Sequence, residues 1–186
     1  MSDSDDALLR TKTRALFLDR DGVINHDTGY VHRIADFLFL SGIFELVSAA
    51  KAAGYLVIIV TNQAGIGRGL YTAADFHELM DWVGRKFREN GGAIDGVYYC
   101  PNHPVHAVGR FRVDCPNRKP QPGMIYQAEN DHNIDLARSI LVGDKSTDIA
   151  AGRAAGISKC ILLSLGEEAD KGPDTIRNLR DVISLL

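Results

Sequence analysis

Short apolar runs that alternate with segments of helical periodicity constrain the fold of this chain more than any other feature. Five such runs cover residues 15–18, 55–60, 94–99, 139–142 and 157–163. Residues 55–60 are apolar throughout, which is typical of a strand covered on both faces. The alternation predicts a three-layer α/β fold, in which helices wrap a Rossmann-like open parallel sheet.

Helices are predicted between these strands from the spacing of apolar residues. Ile43, Leu46, Val47 and Ala50 recur at i, i+3, i+4 and i+7. Thr72 stands where an N-cap residue would begin a second amphipathic helix. Further helices are predicted over residues 124–130, 148–155 and 175–186.

Length and composition set the domain organisation and exclude several classes of partner. The 186 residues predict a single domain, residues 1–186, with a core over 14–165, a polar, frayed start at 1–13 and no large cap domain. A net charge of −3 gives no basic field for nucleic acid. The apolar runs fall short of the ~20 residues that cross a bilayer, and the acidic N-terminus does not resemble a signal peptide. We therefore expect a cytoplasmic monomer with no nucleic-acid or membrane partner.

Polar residues follow three of the predicted strands. They are Asp19 and Asp21 after the first strand, Thr61 after the second, and Asp144 and Asp148 after the fourth. The carboxyl ends of parallel strands meet at one edge of the sheet, where ligands bind. Crowded carboxylates repel one another unless a cation lies among them, and oxygen ligands without histidine favour Mg²⁺. A single aspartate would more simply cap a helix or turn, but three together at strand ends indicate a metal site.

These residue types match the needs of phosphoryl transfer. Asp19 could attack phosphorus and form an aspartyl-phosphate. Asp21 could protonate the leaving oxygen and later accept a proton from water. Thr61 and the backbone amides after it could hold phosphate oxygens, while Lys119 could neutralise their charge.

Four ordered motifs resemble those of the haloacid-dehalogenase phosphatase superfamily. They are Asp19-x-Asp21-Gly22-Val23, Thr61-Asn62, Lys119, and Gly143-Asp144-x-x-x-Asp148. Within that superfamily, residues 19–25, 29–30, 61–69 and 118–124 are similar to D,D-heptose 1,7-bisphosphate phosphatases, with histidinol-phosphatases as near kin. The resemblance spans about residues 14–165, nearly the whole chain.

The resemblance implies a Mg²⁺-dependent phosphomonoesterase acting on a small sugar bisphosphate. The implied reaction removes the 7-phosphate of D-glycero-D-manno-heptose 1,7-bisphosphate, in lipopolysaccharide-core or nucleotide-activated heptose synthesis. Asp19 would be the nucleophile and Asp21 the acid/base; Thr61 and Lys119 would stabilise the phosphoryl group. Asp148 would orient Lys119 or a metal-bound water. The implied Mg²⁺ ligands are Asp19, the carbonyl of Asp21, and Asp144. The implied substrate-binding residues are Asn25, Asp27, Gly29, Tyr30, Asn62, Gln63, Arg118 and Lys145.

The loop before Arg118 departs from the family's pattern. Relatives often carry a structural zinc there, bound by Cys-x-His and Cys-x-Cys pairs. The corresponding positions here are Cys100, Asn102, Cys115 and Asn117. Asparagine is a poor zinc ligand, and although His103 and His106 could complete a set with the two cysteines, we favour a metal-free loop.

Alternative functions follow from the same residues. Histidinol phosphate or another small sugar phosphate is the nearest alternative substrate, and either heptose anomer fits the motifs. A phospho-accepting receiver domain would store phosphate on Asp19, but it would gain nothing from Asp21. The intact motifs oppose a catalytically dead binding module, and the net charge and small loops oppose a nucleic-acid end-phosphatase.

Only short loops could cover the predicted site, near residues 25–38, 64–71 and 101–118. The second of these loops contains Gly65, Gly67 and Gly69, and it has two interpretations. It is either a loop that approaches phosphate or moves, or an ordinary glycine-containing surface turn.

Overall fold

Six parallel strands form one sheet at the centre of the protein. The structure is a computed structural model that describes residues 12–166 and 174–186. The strands are β1 (Ala15–Leu18), β2 (Leu56–Asn62), β3 (Gly96–Cys100), β4 (Ile140–Gly143), β5 (Lys159–Leu163) and β6 (Thr175–Ile176). Their order across the sheet is β3-β2-β1-β4-β5-β6, and every neighbouring pair is parallel.

The winding direction of the sheet reverses at β1. Strands β2 and β3 lie on one side of β1, whereas β4, β5 and β6 lie on the other. The segments that leave β1 and β4 therefore diverge, which opens a crevice at the carboxyl ends of these strands. Asp19 directly follows β1, so the topology places it at this crevice.

Helices cover both faces of the sheet. They are α1 (Ile43–Ala52), α2 (Ala64–Gly67), α3 (Ala73–Glu89), α4 (Gly123–His132) and α5 (Ser146–Ala154), with 3-10 segments at Ile34–Asp36, Gly109–Phe111, Leu136–Arg138 and Leu179–Leu185. The predicted cap of α3 is confirmed: the Asp75 N–H donates to Thr72 Oγ1 at 3.1 Å, and the Thr72 N–H donates to Asp75 Oδ2 at 2.7 Å.

Buried side chains of β1 belong alternately to two hydrophobic clusters, one on each face of the sheet. Leu16 and Leu18 join the cluster that includes α1 and α3, whereas Ala15 and Phe17 join the cluster that includes α4 and α5. Because successive strand residues point to opposite faces, an apolar run can fill both clusters at once. The predicted three-layer α/β fold is confirmed.

The predicted helix over residues 175–186 is wrong. This segment begins as β6, which pairs with the edge of β5. The Leu162 N–H donates to Asp174 O and the Ser164 N–H donates to Ile176 O, each at 2.9 Å. Backbone N–H and C=O groups at the edge of a sheet need hydrogen-bond partners. Pairing with β5 therefore prevails over the helical spacing of the apolar side chains in this segment. A 3-10 segment follows and buries Leu179 and Val182.

Residues 64–67 form the single turn of α2, where a loop is predicted. A Cβ on Gly65 would lie 2.2 Å from the Tyr71 ring, and one on Gly67 would lie 2.2 Å from Pro101 O. These two glycines thus permit close packing within the turn.

Two further sequence expectations concern the chain outside its core. Residues 1–11 of the segment predicted to be frayed lie outside the described residues, as do residues 167–173. Among the described residues, no helix is both long enough and apolar enough to cross a bilayer.

Candidate active site

A cavity of about 530 Å³ opens at the carboxyl ends of β1, β2 and β4. The predicted site residues that line it are Asp19, Asp21, Asp27, Gly29, Tyr30, Thr61, Asn62, Gln63, Arg118, Lys119 and Lys145. Asp148 also lines it. Residues from opposite ends of the chain therefore meet around one space.

An ammonium between two buried carboxylates forms the floor of this cavity. Lys119 Nζ lies 2.7 Å from Asp19 Oδ1 and 2.6 Å from Asp148 Oδ1, and it donates to Val60 O at 2.9 Å. Burial raises the pKa of Asp19 above its ordinary value, even against the charge of Lys119. Burial by itself would lower the pKa of Lys119, but Asp19 and Asp148 outweigh it and raise that pKa. Lys119 is therefore held in its charged form beside Asp19.

Asn62 holds the backbone of Lys119 from the end of β2. The Lys119 N–H donates to Asn62 Oδ1, and Asn62 Nδ2 donates to Lys119 O, both at 3.1 Å. This pairing joins the loop before α4 to the sheet across 57 positions of sequence. The precise placement of the Lys119 ammonium thus depends on Asn62.

Three carboxylates form the one group of acidic, histidine or cysteine side chains in the described residues that is close enough to share a metal ion. They belong to Asp19, Asp144 and Asp148, and one ligand atom from each lies within 4.8 Å of the others. Asp144 Oδ1 is buried and finds no hydrogen-bond partner among the described residues. Burial, followed by the charge of Asp19, raises the pKa of Asp144 to about 7. An unpartnered oxygen in a cluster of hard oxygen ligands fits a small divalent cation such as Mg²⁺.

The carboxylate of Asp21 is not part of this group and is held by its neighbours in sequence. Arg20 Nη2 lies 2.7 Å from both Asp21 oxygens, and Asn25 Nδ2 donates to Oδ1 at 3.0 Å. Arg20 is fully buried and also donates to Val31 O at 2.7 Å. Gln63, which directly follows β2, donates from Nε2 to Asp21 Oδ2 at 3.2 Å.

Comparisons with known proteins agree with this geometry. The HAD-hydrolase-like family model matches residues 116–179. A D-glycero-alpha-D-manno-heptose-1,7-bisphosphate 7-phosphatase of Burkholderia mallei is 54% identical over 178 residues, which cover 94% of each chain. This chain belongs to the haloacid-dehalogenase-like phosphatases.

This phosphatase is also similar to a relative named for the opposite heptose anomer and to a solved structure. The D-glycero-beta-D-manno-heptose-1,7-bisphosphate 7-phosphatase of Vibrio cholerae serotype O1 is 48% identical over 153 residues, which cover 82% of each chain. The D,D-heptose 1,7-bisphosphate phosphatase of B. bronchiseptica, solved with magnesium and phosphate, has a TM-score of 0.79 and 28% identity. That comparison covers 93% of this chain and 97% of the other.

Charged side chains line the rim of the phosphatase cavity. Lys145 Nζ lies 3.0 Å from Asp27 Oδ2 and 3.7 Å from Asp144 Oδ2. Burial alone would raise the pKa of Asp27, but hydrogen bonds from Lys145 and from the Gly29 N–H lower it. Arg118 Nη1 donates to Asn102 O at 3.0 Å. Two cationic side chains therefore border the space in which a substrate would lie.

The structure separates two predicted substrate-binding residues from the others. Asn25 is fully buried, does not line the cavity, and donates its amide to Asp21 and to His26 O. Gln63 lines the cavity but is only 1% exposed, and its amide is bound to neighbouring side chains. Tyr30, by contrast, is 44% exposed at the rim, where its hydroxyl contacts Arg68.

The cysteine-containing loop of this phosphatase is organised by hydrogen bonds. Asn102 O accepts from the Cys100 thiol at 4.0 Å and from Arg118 Nη1 at 3.0 Å. His103 Nδ1 accepts from the backbone N–H groups of Val105 and His106. In residues 12–166 and 174–186, these cysteines and histidines do not form a group compact enough to bind one metal ion.

Sequence reasoning missed three side chains at the site. Arg20 was visible only as the charged residue between two strand-end aspartates, a position where burial of a cation is unexpected. Tyr71 and Thr147 line the cavity, but no spacing or motif in the sequence distinguishes them.

Proposed function

We propose that this phosphatase hydrolyses a phosphate monoester through an aspartyl-phosphate on Asp19. One observation carries the proposal: Asp19 ends the central strand beside the Lys119 ammonium and within the three-carboxylate group. The arrangement combines a carboxylate nucleophile with a fixed positive charge for the phosphoryl oxygens.

The first step forms the bond between Asp19 and phosphorus and breaks the bond to the leaving oxygen. Asp21 donates a proton to that oxygen, so that the product leaves as an alcohol. In the second step water attacks phosphorus, Asp21 accepts its proton, and Asp19 is released with inorganic phosphate. Asp21 lines the same cavity, so the same carboxyl can serve both steps.

Lys119 and Thr61 stabilise the transferring phosphoryl group. Thr61 Oγ1 accepts a hydrogen bond from Gln63 Nε2 at 2.9 Å, which leaves the hydroxyl proton of Thr61 free to donate to a phosphoryl oxygen. We assign the Mg²⁺ ligands to the Asp19 and Asp144 carboxylates and the Asp21 carbonyl. When bound there, Mg²⁺ would neutralise negative charge on the phosphoryl oxygens. Asp148 orients Lys119 through its ion pair.

The proposed substrate is D-glycero-D-manno-heptose 1,7-bisphosphate, from which the enzyme removes the 7-phosphate. The Burkholderia mallei and Vibrio cholerae relatives are named as 7-phosphatases of this sugar. The cationic rim supports the proposal, because Arg118 and Lys145 could bind the phosphate that is retained. Asp27, Gly29, Tyr30 and Asn62 would contact the sugar.

A side-by-side kinetic comparison tests the substrate. The protein is assayed with Mg²⁺ on both heptose bisphosphate anomers, fructose 1,6-bisphosphate and histidinol phosphate. We expect the highest kcat/KM on a heptose bisphosphate, with the 7-phosphate released. The relatives are named for opposite anomers, so the ratio of the two kcat/KM values assigns the anomer. A higher kcat/KM on histidinol phosphate would replace the proposed substrate, and no phosphate release from any of the four would refute the enzyme itself.

A further inference from the structure

Gln63 links Asp21 to the neighbouring strand. Its Nε2 donates to Asp21 Oδ2 at 3.2 Å across 42 positions of sequence. The other side chains that hold Asp21, Arg20 and Asn25, come from the same segment of chain as Asp21. Gln63 therefore supplies the contact that relates Asp21 to β2, the strand that also carries Thr61.

The Gln63 amide has only one satisfactory orientation. Its Oε1 accepts from the Tyr71 hydroxyl at 2.5 Å, and its Nε2 donates to Thr61 Oγ1 at 2.9 Å as well as to Asp21. In the reversed orientation, Oε1 would face the Asp21 carboxylate, and both groups are acceptors. The Asp21 carboxylate thus selects the orientation in which an N–H points at it, and the Tyr71 hydroxyl, which donates to Oε1, holds the amide in that orientation.

Tyr71 is itself fixed by packing. One face of its ring stacks on His32, with centroids 4.9 Å apart and an interplanar angle of 3°. Gly65 leaves room for an edge of the ring, since a Cβ there would lie 2.2 Å from Tyr71 Cε1. Burial raises the pKa of Tyr71 to about 12, so its hydroxyl keeps its proton and remains a donor at neutral pH. The Gln63 backbone is also anchored, since its N–H donates to Cys100 O at 2.8 Å.

We propose that Gln63 is a positioning residue for the general acid Asp21, and that Tyr71 acts through Gln63 by fixing its amide. This inference rests on the proposed function of Asp21. Neither side chain needs to touch the reacting atoms. Together they restrict the Asp21 carboxyl to positions from which it can reach the leaving oxygen.

Two variants remove successive parts of this chain of hydrogen bonds. Gln63→Leu removes the amide at nearly constant size, and Tyr71→Phe removes only the hydroxyl. Each is assayed with Mg²⁺ on the heptose bisphosphate and on p-nitrophenyl phosphate, whose leaving group needs no proton. Tyr126→Phe is the matched control, because its hydroxyl bonds Ala154 O away from the cavity.

We expect kcat/KM on the sugar phosphate to fall by about 10- to 100-fold in both variants. This constant covers the steps up to departure of the alcohol, in which Asp21 acts as the acid, and not the later hydrolysis of the aspartyl-phosphate, in which Asp21 acts as the base for either substrate. On p-nitrophenyl phosphate kcat/KM should fall by less than about 3-fold, since proton donation contributes little there. The double variant should be no slower than Gln63→Leu, because Tyr71 acts through Gln63. It also avoids the buried, unpartnered Tyr71 hydroxyl that Gln63→Leu leaves behind, so poor folding of one variant does not block the test.

Equal losses of kcat/KM on the two substrates, or additive losses in the double variant, would overturn the inference. Asp21→Asn, assayed in parallel, separates it from the function on which it rests. If Asp21→Asn shows the substrate-selective loss and the Gln63 variants do not, only the positioning role is refuted. If Asp21→Asn lowers kcat/KM equally on both substrates, Asp21 is not the general acid, and both proposals fail.

Discussion

Lys119 Nζ lies 2.7 Å from Asp19 Oδ1, although 100 positions separate the two residues in the sequence. The same ammonium is 2.6 Å from Asp148 Oδ1, and all three side chains are buried. One cation thus compensates two carboxylates where water cannot screen them. The stability of the fold and the proposed chemistry both depend on this group of charges.

Replacing Lys119 by Met should destabilise the protein. The change leaves two buried carboxylates uncompensated, and breaking a buried pair costs about 3–5 kcal/mol. Urea unfolding in EDTA measures the free energy of unfolding. Adding Asp148→Asn to Lys119→Met should recover part of the loss, since it removes one uncompensated charge.

An exposed ion pair provides the control for that experiment. Lys12 pairs with Glu129 at 3.0 Å, and 52% of the Lys12 side chain is exposed. Lys12→Met should change the free energy of unfolding by less than about 1 kcal/mol. Similar losses in Lys12→Met and Lys119→Met would contradict the structural importance of the buried group.

Replacing Asp19 by Asn should abolish turnover, because an amide cannot attack phosphorus as a carboxylate does. We expect phosphate release to fall by at least about 10³-fold. Lys119 keeps Asp148 as its partner, so the far-UV circular dichroism spectrum should be unchanged. Asp181→Asn, on the final 3-10 segment, is the control and should retain full activity. Substantial turnover by Asp19→Asn would exclude Asp19 as the nucleophile.

Gly22→Ala should weaken Mg²⁺ binding. A Cβ on Gly22 would lie 2.2 Å from Asp144 Oδ2, so the carboxylate must move. We expect the Mg²⁺ concentration for half-maximal activity to rise by about 10-fold or more, as when the groups that orient a metal ligand are changed.

Gly54→Ala is the matched control for Gly22→Ala. Gly22 has φ +94° and Gly54 has φ +82°, so both substitutions strain the backbone, but nothing lies within 4 Å of a Cβ on Gly54. Gly54→Ala should therefore lower stability without changing the Mg²⁺ requirement. An equal shift in the two variants would show that backbone strain, and not the contact with Asp144, is responsible.

Cys115 should react with iodoacetamide before the other two cysteines. Burial alone would raise the pKa of Cys115, but hydrogen bonds from Asn102 and the Asn117 N–H outweigh it and lower that pKa. Burial raises the pKa of Cys100 and of Cys160 to about 11. The thiolate is the reacting form, so labelling of Cys115 should rise with pH at values below those of an ordinary thiol.

Peptide mass spectrometry after labelling in EDTA measures the order of reaction. Equal labelling of Cys100 and Cys115 would contradict the assigned hydrogen bonds. Metal analysis of the untreated protein belongs to the same experiment, because stoichiometric zinc would refute our preference for a metal-free loop.

The local pattern of the sequence was sufficient for most of the fold. Apolar runs identified five strands, and Thr72 marked the start of α3, since such signals depend on residues close in sequence. The prediction for the final segment was wrong because pairing with the β5 edge decides its conformation. The spacing of the segment's own apolar residues carries no information about that edge.

The sequence by itself determined which residue types gather at the carboxyl ends of the strands, because parallel strands bring those ends to one edge. Only the tertiary structure decided what each side chain there contacts. Arg20 and Asn25 are fully buried and donate hydrogen bonds to the Asp21 carboxylate. The Gln63 amide accepts a hydrogen bond from the Tyr71 hydroxyl. A side chain's direction depends on neighbours from other strands, and those neighbours take their places only when the sheet has formed.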